Sequence, residues 1–296
     1  DIDNVTFIML LVAFAIYTVF IIIMMTIIHN KKSIKPEKAL LIIMPVFCIL
    51  LSIAMPVGRG HDETMHWYKA FEVSQGTLMT PIMDKYHLAV AELPKGVENI
   101  VFERKSGEFK YADIIPLFNV EIDYEKTIKM PNQNSAAYCF IQYIPDVTGI
   151  LIGKLITQNP LTIAYIARII NMCTCIALMY FAIKIIPFGK NILLTLAIIP
   201  IAIEGFATLS PDGLTIAICA LFIAYTMNIA FNKEKKCGVK EVAILTILGA
   251  IVSLCKIVYM PLIFLVLIIP KGKFKNKKSR MISIILILSV GVILNL

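Results

Sequence analysis

The sequence predicts an all-α polytopic membrane protein: a bundle of transmembrane helices whose first outer loop carries an interfacial helix and a small irregular or β segment. Three observations predict it. Of the 296 residues, 58% are hydrophobic and only 16% charged, more apolar surface than a soluble chain of this length has use for. The apolar residues fall into runs close to the 20 or so needed to cross about 30 Å of hydrocarbon. The lysines sit in short clusters between those runs, as membrane topology places them. The formal charge of +8 is therefore a topological signal, and no nucleic-acid partner is expected.

Taken in order, residues 5–28 form the first span. They hold no charge, no basic segment precedes them and no small-residue cleavage site follows, so they do not read as a signal peptide. Residues 39–57, 161–186, 192–208 and 209–231 are further spans. The chain starts without Met and its last apolar run is short, so it is expected to be a fragment at both ends. Three basic connections, 29–38, 231–240 and 271–280, belong in the cytoplasm by the positive-inside rule. The N-terminus and the long mixed-charge segment 58–135 then lie outside. Within that segment "VFERKSGEFKYA" (101–112) reads as a small hairpin. Three regions follow: two N-terminal spans (1–57), an extracytoplasmic segment (58–160) and a transmembrane core (161–296).

Parity decides two ambiguous runs. Residues 136–157 must begin and end outside although they are apolar. Pro145 leaves a helix 145–157, roughly 20 Å long and too short to cross. It reads as interfacial or re-entrant, with Gln142, Asp146 and Lys154 toward water or headgroups. Residues 242–270 must begin and end inside, so two short helices are expected to meet near Cys255 and Lys256, with Pro261 aiding the turn. A single tilted span is the alternative and inverts everything downstream. The seven cysteines have neither metal-site nor disulfide spacing.

On this topology the charges near the spans converge on the outer face. Arg168 lies about 10 Å below the outer end of its span and Glu204 about 6 Å. Asp212 begins a span on the outside, Lys256 is at the outer tip of the hairpin, and Asp62 and Glu63 emerge there too. An ionisable residue inside a span is a functional hypothesis by default. Plainer readings stand beside it. Asp212 in "SPDG" is an ordinary first-turn acid. Glu204 can reach the interface, Arg168 can pair with Glu204 or Asp146, and Lys256 can mark a wet turn.

The densest passage is "GRGHDETMHWYKAF" (58–71). As an interfacial helix 62–75 it places Asp62, His66 and Lys69 on one face with Glu63 beside His66, and Trp67 and Tyr68 at the headgroups. Asp62, Glu63 and His66 could hold a hard divalent ion, Mg or Mn; the spacing is not that of a zinc protease. A polar cluster anchoring a loop explains the same residues without chemistry.

This passage resembles the H-D-E-x-x-H-x-x-R-A pattern of a family of bacterial multi-pass membrane proteins long catalogued as of unknown function. That family is similar to the GT-C class of glycosyltransferases, which use polyprenyl-phosphate sugars. The resemblance continues through "YIPD" (143–146), "IARIIN" (166–171), "LSPDG" (209–213) and "CKIVYMP" (255–261). Lys69 stands where the family has Arg, which keeps the charge and loses the fork. The resemblance implies a multi-pass protein of the bacterial plasma membrane with its active site outside. It also implies an acidic residue of the first outer loop as catalytic base: Asp62, with Glu63 second. The substrate is then a polyprenyl-phosphate-linked sugar and the acceptor a glycan or other cell-envelope molecule. A phosphate leaving group needs positive charge nearby, which Arg168 and Lys256 would supply. Arg59, His61, His66 and Lys69 are further binding candidates around the motif, and Tyr143, Asp212 and Tyr259 are candidates on the later segments. Two rivals remain. A transporter would place its polar groups near the midplane of repeated halves, and neither is visible. A non-catalytic lipid-binding assembly protein leaves the carboxylate pair beside membrane cations without a use.

Overall fold

The computed structural model describes residues 4–29, 34–83, 88–100 and 111–294. α1 (Asn4–His29) shows Phe7, Ile8, Leu11 and Phe14 to the outside, as a helix does whose solvent is lipid. α2 (Pro36–Ala54) starts on a proline, which presets φ for a first turn where a missing N–H costs nothing.

Beyond α2 the chain builds a unit at one end of the bundle, called the outer unit after the side on which the lysine pattern is expected to place it. It comprises α3 (Glu63–Ser74), antiparallel strands β1 (Ile82–Met83), β2 (Leu88–Lys95) and β3 (Asp123–Pro131), α4 (Gln133–Ala136) and α5 (Ile144–Ile156). The strands lie in the order β1-β2-β3, with Ile82 opposite Ala89 and Leu93 opposite Ile128. The core centres on Trp67, Phe71, Leu93, Val97 and Ile100. This overturns the interfacial reading of 62–75. Nine of the twelve residues of α3 are buried, and Trp67 donates from Nε1 to the Val97 carbonyl at 3.1 Å. A large ring with one donor suits a headgroup layer and a core equally; the irregular segments that cover α3 decide for the core. Of the hairpin expected at 101–112, residues 101–110 lie outside the described residues. Tyr111–Asn119 forms a 3-10 helix, tied to the end of α2 by the Tyr111 hydroxyl on the Ile53 carbonyl.

α5 has 13 residues, as the proline predicts, and shows Ile144, Leu151, Ile152, Leu155 and Ile156 to the outside. An apolar exposed stripe of this kind fits an interfacial or re-entrant helix. Gln142 and Asp146, expected to face water, are buried, because the apolar stripe takes the outer face and turns them inward. Gln142 donates to Thr215 Oγ1 at 3.0 Å. The opposite side of α5 lies antiparallel along α6 (Pro160–Ile185), and a Cβ on Gly149 would sit 2.4 Å from Ala167 Cα. Only glycine permits that backbone approach. Gly149→Ala should therefore force the helices apart and cost about 1–3 kcal/mol, read as a lower thermal midpoint in detergent. Gly272→Ala, with nothing within 4 Å of the added carbon, should leave the midpoint unchanged.

The first turns of α6 belong to the outer unit: Leu161, Ile163, Ala164 and Ala167 share its core. Arg168 meets the carbonyls of Met55 and Pro56, just past the end of α2, at 2.8 and 3.2 Å. Counted along its own helix it lies about 12 Å from the start of α6, close to the depth expected. It is level with the end of α2 because α6 begins two turns beyond that end. The single span expected at 192–208 is two helices, α7 (Lys190–Ala197) and α8 (Pro200–Ala207), bent by 63°. Pro200 lacks the N–H that a continuous helix needs and pushes Ile199 to φ −69°, ψ 149°.

α9 (Pro211–Phe231) and α10 (Val239–Cys255) follow, then a 3-10 helix over Ile257–Ile268 and α11 (Lys277–Ile293). At one end Lys256 reaches Asp212 at the start of α9. At the other, the Cys237 N–H donates to the Lys273 carbonyl at 2.8 Å. The segment after α10 thus returns to the side where α10 began, as parity expects, and the single tilted span does not form. The helices α1, α2, α6 and α9 are long and apolar enough to cross a membrane, and α7 with α8 makes a fifth crossing if they count as one broken span. The chain is an all-α polytopic membrane protein with a small sheet in its outer unit.

Candidate functional site

The site is organised by one buried carboxylate. Glu63 Oε2 accepts from the Gly58 and Gly60 amides at 2.8 and 3.1 Å, and Oε1 accepts from the Leu209 amide at 3.0 Å. Arg168 adds Nε on Oε1 and Nη2 on Oε2, both at 2.6 Å. Five donors therefore converge on two oxygens, joining the loop after α2, the start of α3, α6 and the turn between α8 and α9. The loop can wrap this closely because Gly58 adopts φ +85°, a conformation only glycine takes readily. Burial alone would raise the Glu63 carboxyl, but Arg168 and the Leu209 and Gly60 amides outweigh it and hold the carboxyl below its ordinary value. Four of the five guanidinium N–H groups of Arg168 are taken by Glu63, Met55 and Pro56.

The neighbouring residue has the opposite character. Asp62 sits at φ 52°, the non-glycine residue with positive φ among the described residues. It is the N-cap of α3, yet its side chain makes no capping hydrogen bond. A left-handed aspartate is tolerated at some cost, and such strain persists where the surroundings over-determine it. Here the Glu63 cluster does so, pinning the chain on both sides of Asp62. The half-exposed carboxylate opens into a polar cleft of about 560 Å³ lined also by His66, Tyr138, Glu204, Asp212 and Lys256.

In that cleft Lys256 Nζ lies 2.6 Å from Asp212 Oδ1 and 5.2 Å above the Tyr138 ring. Glu204 Oε1 accepts from the His61 amide at 3.1 Å, and the His61 ring lies 3.6 Å from the Asp62 carboxylate. His66 Nδ1 shares a 2.9 Å hydrogen bond with the buried Tyr143 hydroxyl, which leaves Nε2 for the cleft. The N-terminus of α9, capped by Ser210, also faces the cleft and favours an anion. The arrangement offers one cation, one helix terminus, a neutral imidazole and a carboxylate without a structural duty.

Residues 46–296 match a family described as predicted membrane protein, DUF2142. The chain belongs to that family. No curated protein and no solved structure matches it.

In this DUF2142 protein the cleft gathers six of the residues that the sequence singles out: His61, Asp62, His66, Glu204, Asp212 and Lys256. Tyr143 stands behind them through His66. The others go elsewhere. Glu63 and Arg168 hold each other, so a free second base at 63 and a free phosphate fork at 168 are both corrected by their mutual pairing. Lys69, expected on the face of His66, is buried with Glu72, Thr80 and the Leu78 carbonyl, because α3 begins after Asp62 and is covered on that side. Arg59 lies in the loop before the cleft and Tyr259 lines a separate apolar cavity of about 240 Å³. The divalent-ion trio Asp62, Glu63 and His66 is not assembled, since Glu63 is turned onto Arg168. Among the described residues no group of three or more His, Cys, Asp or Glu is arranged to hold a metal ion. Tyr138 carried no sequence signal, whereas Ser210 is legible as the helix cap of "SPDG" and Glu204 as a charge near the end of an apolar run.

Acid should loosen this DUF2142 protein in two windows. Burial lowers the His66 imidazole from 6.5 to about 4, against the opposing pull of Asp212 and Asp62 and with Lys256 nearby. Between those values the unfolded chain binds a proton that the folded one does not, so unfolding gains up to about tenfold per pH unit. Glu63, with its folded value lowered, stabilises above about 4.5, and that contribution is lost as pH falls through the folded value. Thermal midpoints should therefore fall from pH 6.5 downward, and His66→Gln should flatten the upper part of the slope. A wild-type profile that is level between pH 6.5 and 5 contradicts the neutral, buried imidazole.

Proposed function

We propose that this protein is a GT-C-type glycosyltransferase of the bacterial plasma membrane. It moves a sugar from a polyprenyl-phosphate donor to a glycan or other cell-envelope acceptor at the outer face. The observation that carries the reading is Asp62, a strained residue whose carboxylate caps nothing and opens into the polar cleft beside Lys256. In the reaction the acceptor hydroxyl oxygen attacks the anomeric carbon while Asp62 takes its proton as general base. The bond from the anomeric carbon to the phosphate oxygen breaks on the opposite side, so the configuration inverts. The leaving phosphate gains charge, which Lys256 and the α9 N-terminus stabilise. Asp212 holds the ammonium in place. The proton leaves from Asp62 to water, since that side chain is half exposed.

An apolar groove of about 460 Å³ between α1, α2 and α6 supports a lipid-borne donor. It is lined by Met9, Ile53, Ile169 and Met172, with Arg168 among its walls, and an isoprenoid chain suits it. The deciding experiment supplies purified protein in nanodiscs with a synthetic polyprenyl-phosphate sugar and an acceptor, and measures release of polyprenyl phosphate. Binding without release would mean a lipid-binding assembly protein. Uptake of intact donor into sealed vesicles would mean a transporter.

A further inference from the structure

At the opposite end of the bundle, the segments 232–241 and 271–280 carry ten Lys and Arg against two acids, Glu234 and Glu241. The fold brings the two segments together: Lys273 Nζ bonds the Asn232 carbonyl, and Lys236 reaches the Gly272 carbonyl at 3.4 Å. Between the starts of α10 and α11 lies a cavity of about 600 Å³. Its rim carries Lys275 and Lys278, and its walls are Val239, Val242, Ile282 and Leu286. Neither rim lysine has an acid within ion-pair distance among the described residues. Glu241, the acid closest in sequence to the cavity wall, is turned back onto the Gly238 amide at 3.1 Å. Two 17-residue helices begin here, so both dipoles also favour negative charge.

We infer that this cavity binds one anionic phospholipid, its phosphate between Lys275 and Lys278 and one acyl chain along Val242, Ile282 and Leu286. Charge complementarity names the headgroup, and the apolar walls name the lipid, because a free phosphate leaves them nothing to meet. Basic pockets between helices at the membrane surface recognise acidic headgroups in this way. Val239, 89% exposed beside the lysines, fits the same boundary between headgroup and chain. The site stands apart from the outer cleft and does not depend on glycosyl transfer.

The test is native mass spectrometry of the full chain in detergent, titrated with phosphatidylglycerol or with phosphatidylcholine of the same chains. The wild type should hold one phosphatidylglycerol about 25-fold more tightly than phosphatidylcholine, from about fivefold for each of the two lysines. Lys275→Gln with Lys278→Gln should bring the two lipids to parity. Lys233→Gln with Lys235→Gln removes the same charge outside the cavity and should leave the preference intact. Ile282→Asn should weaken both lipids alike. Equal loss in the two lysine pairs means diffuse surface attraction and overturns the site. Displacement of phosphatidylglycerol by millimolar inorganic phosphate assigns it to a free anion and overturns the lipid.

Discussion

Asp62→Asn should lower glycosyl transfer by about 10²–10⁴-fold, the usual worth of a positioned base, with donor binding and thermal midpoint unchanged. The expectation of unchanged stability is specific to this position. The carboxylate makes no capping hydrogen bond, so none is lost. Asparagine has the same volume and tolerates the left-handed region at least as well as aspartate. The amide keeps the shape of the acid and loses its charge, which lies beside the imidazoles of His61 and His66, and its ability to accept a proton. Activity within a few-fold of wild type would move the base to another acceptor in the cleft, Glu204, His61, His66 or the Lys256-paired Asp212. A stability loss would instead mean that Asp62 helps to hold the loop. Turnover and midpoint measured on one preparation separate these outcomes.

The span starts expected at residues 39, 161 and 209 fall within three residues of Pro36, Pro160 and Pro211, each of which opens a helix, where a missing N–H is harmless. The hairpin at Lys256 was legible through parity, since positive clusters on both sides of an apolar run leave few foldings. The bend at Pro200 also had its signal in the sequence. It was outweighed by the length of the apolar run, although an interior proline breaks the hydrogen-bond ladder whatever surrounds it. The gathering of charges on one face could be read, but not which partner each would take. Arg168 and Glu63 are 105 positions apart, and Lys256 and Asp212 are 44 apart. Local spacing instead set Glu63 beside His66 on a solvated helix face. What separates their roles is the partner each finds on another element, Arg168 for Glu63 and Tyr143 for His66, which periodicity does not encode.

Breaking the Glu63–Arg168 pair should be the most destabilising change in the protein. Removing one partner of a buried pair costs about 3–5 kcal/mol, because the other charge stays buried. At the 2–4 °C per kcal/mol typical of domains of 150–250 residues, that lowers the midpoint by about 10 °C. Arg168→Met leaves Glu63 with only its three backbone donors and takes the guanidinium donor from the Met55 carbonyl, while the Pro56 carbonyl keeps the Arg59 amide. Glu63→Gln places an amide NH₂ against donors already arranged around both oxygens, so it should fare no better despite its equal size. Arg168→Lys keeps the charge without the fork and should fall between. The double change Glu63→Leu with Arg168→Met removes both charges, so its loss should be smaller than the sum of the singles. It should not reach wild type, because the Gly58, Gly60 and Leu209 amides then go unmet. The rival assignment of Arg168, binding the donor's phosphate directly, predicts something different: an unchanged midpoint with weaker donor binding in Arg168→Met. A midpoint within 2 °C of wild type would return Arg168 to the phosphate. A large drop, with normal donor affinity in the fraction that stays folded, makes the pair the clamp that holds Asp62 in its strained and usable pose.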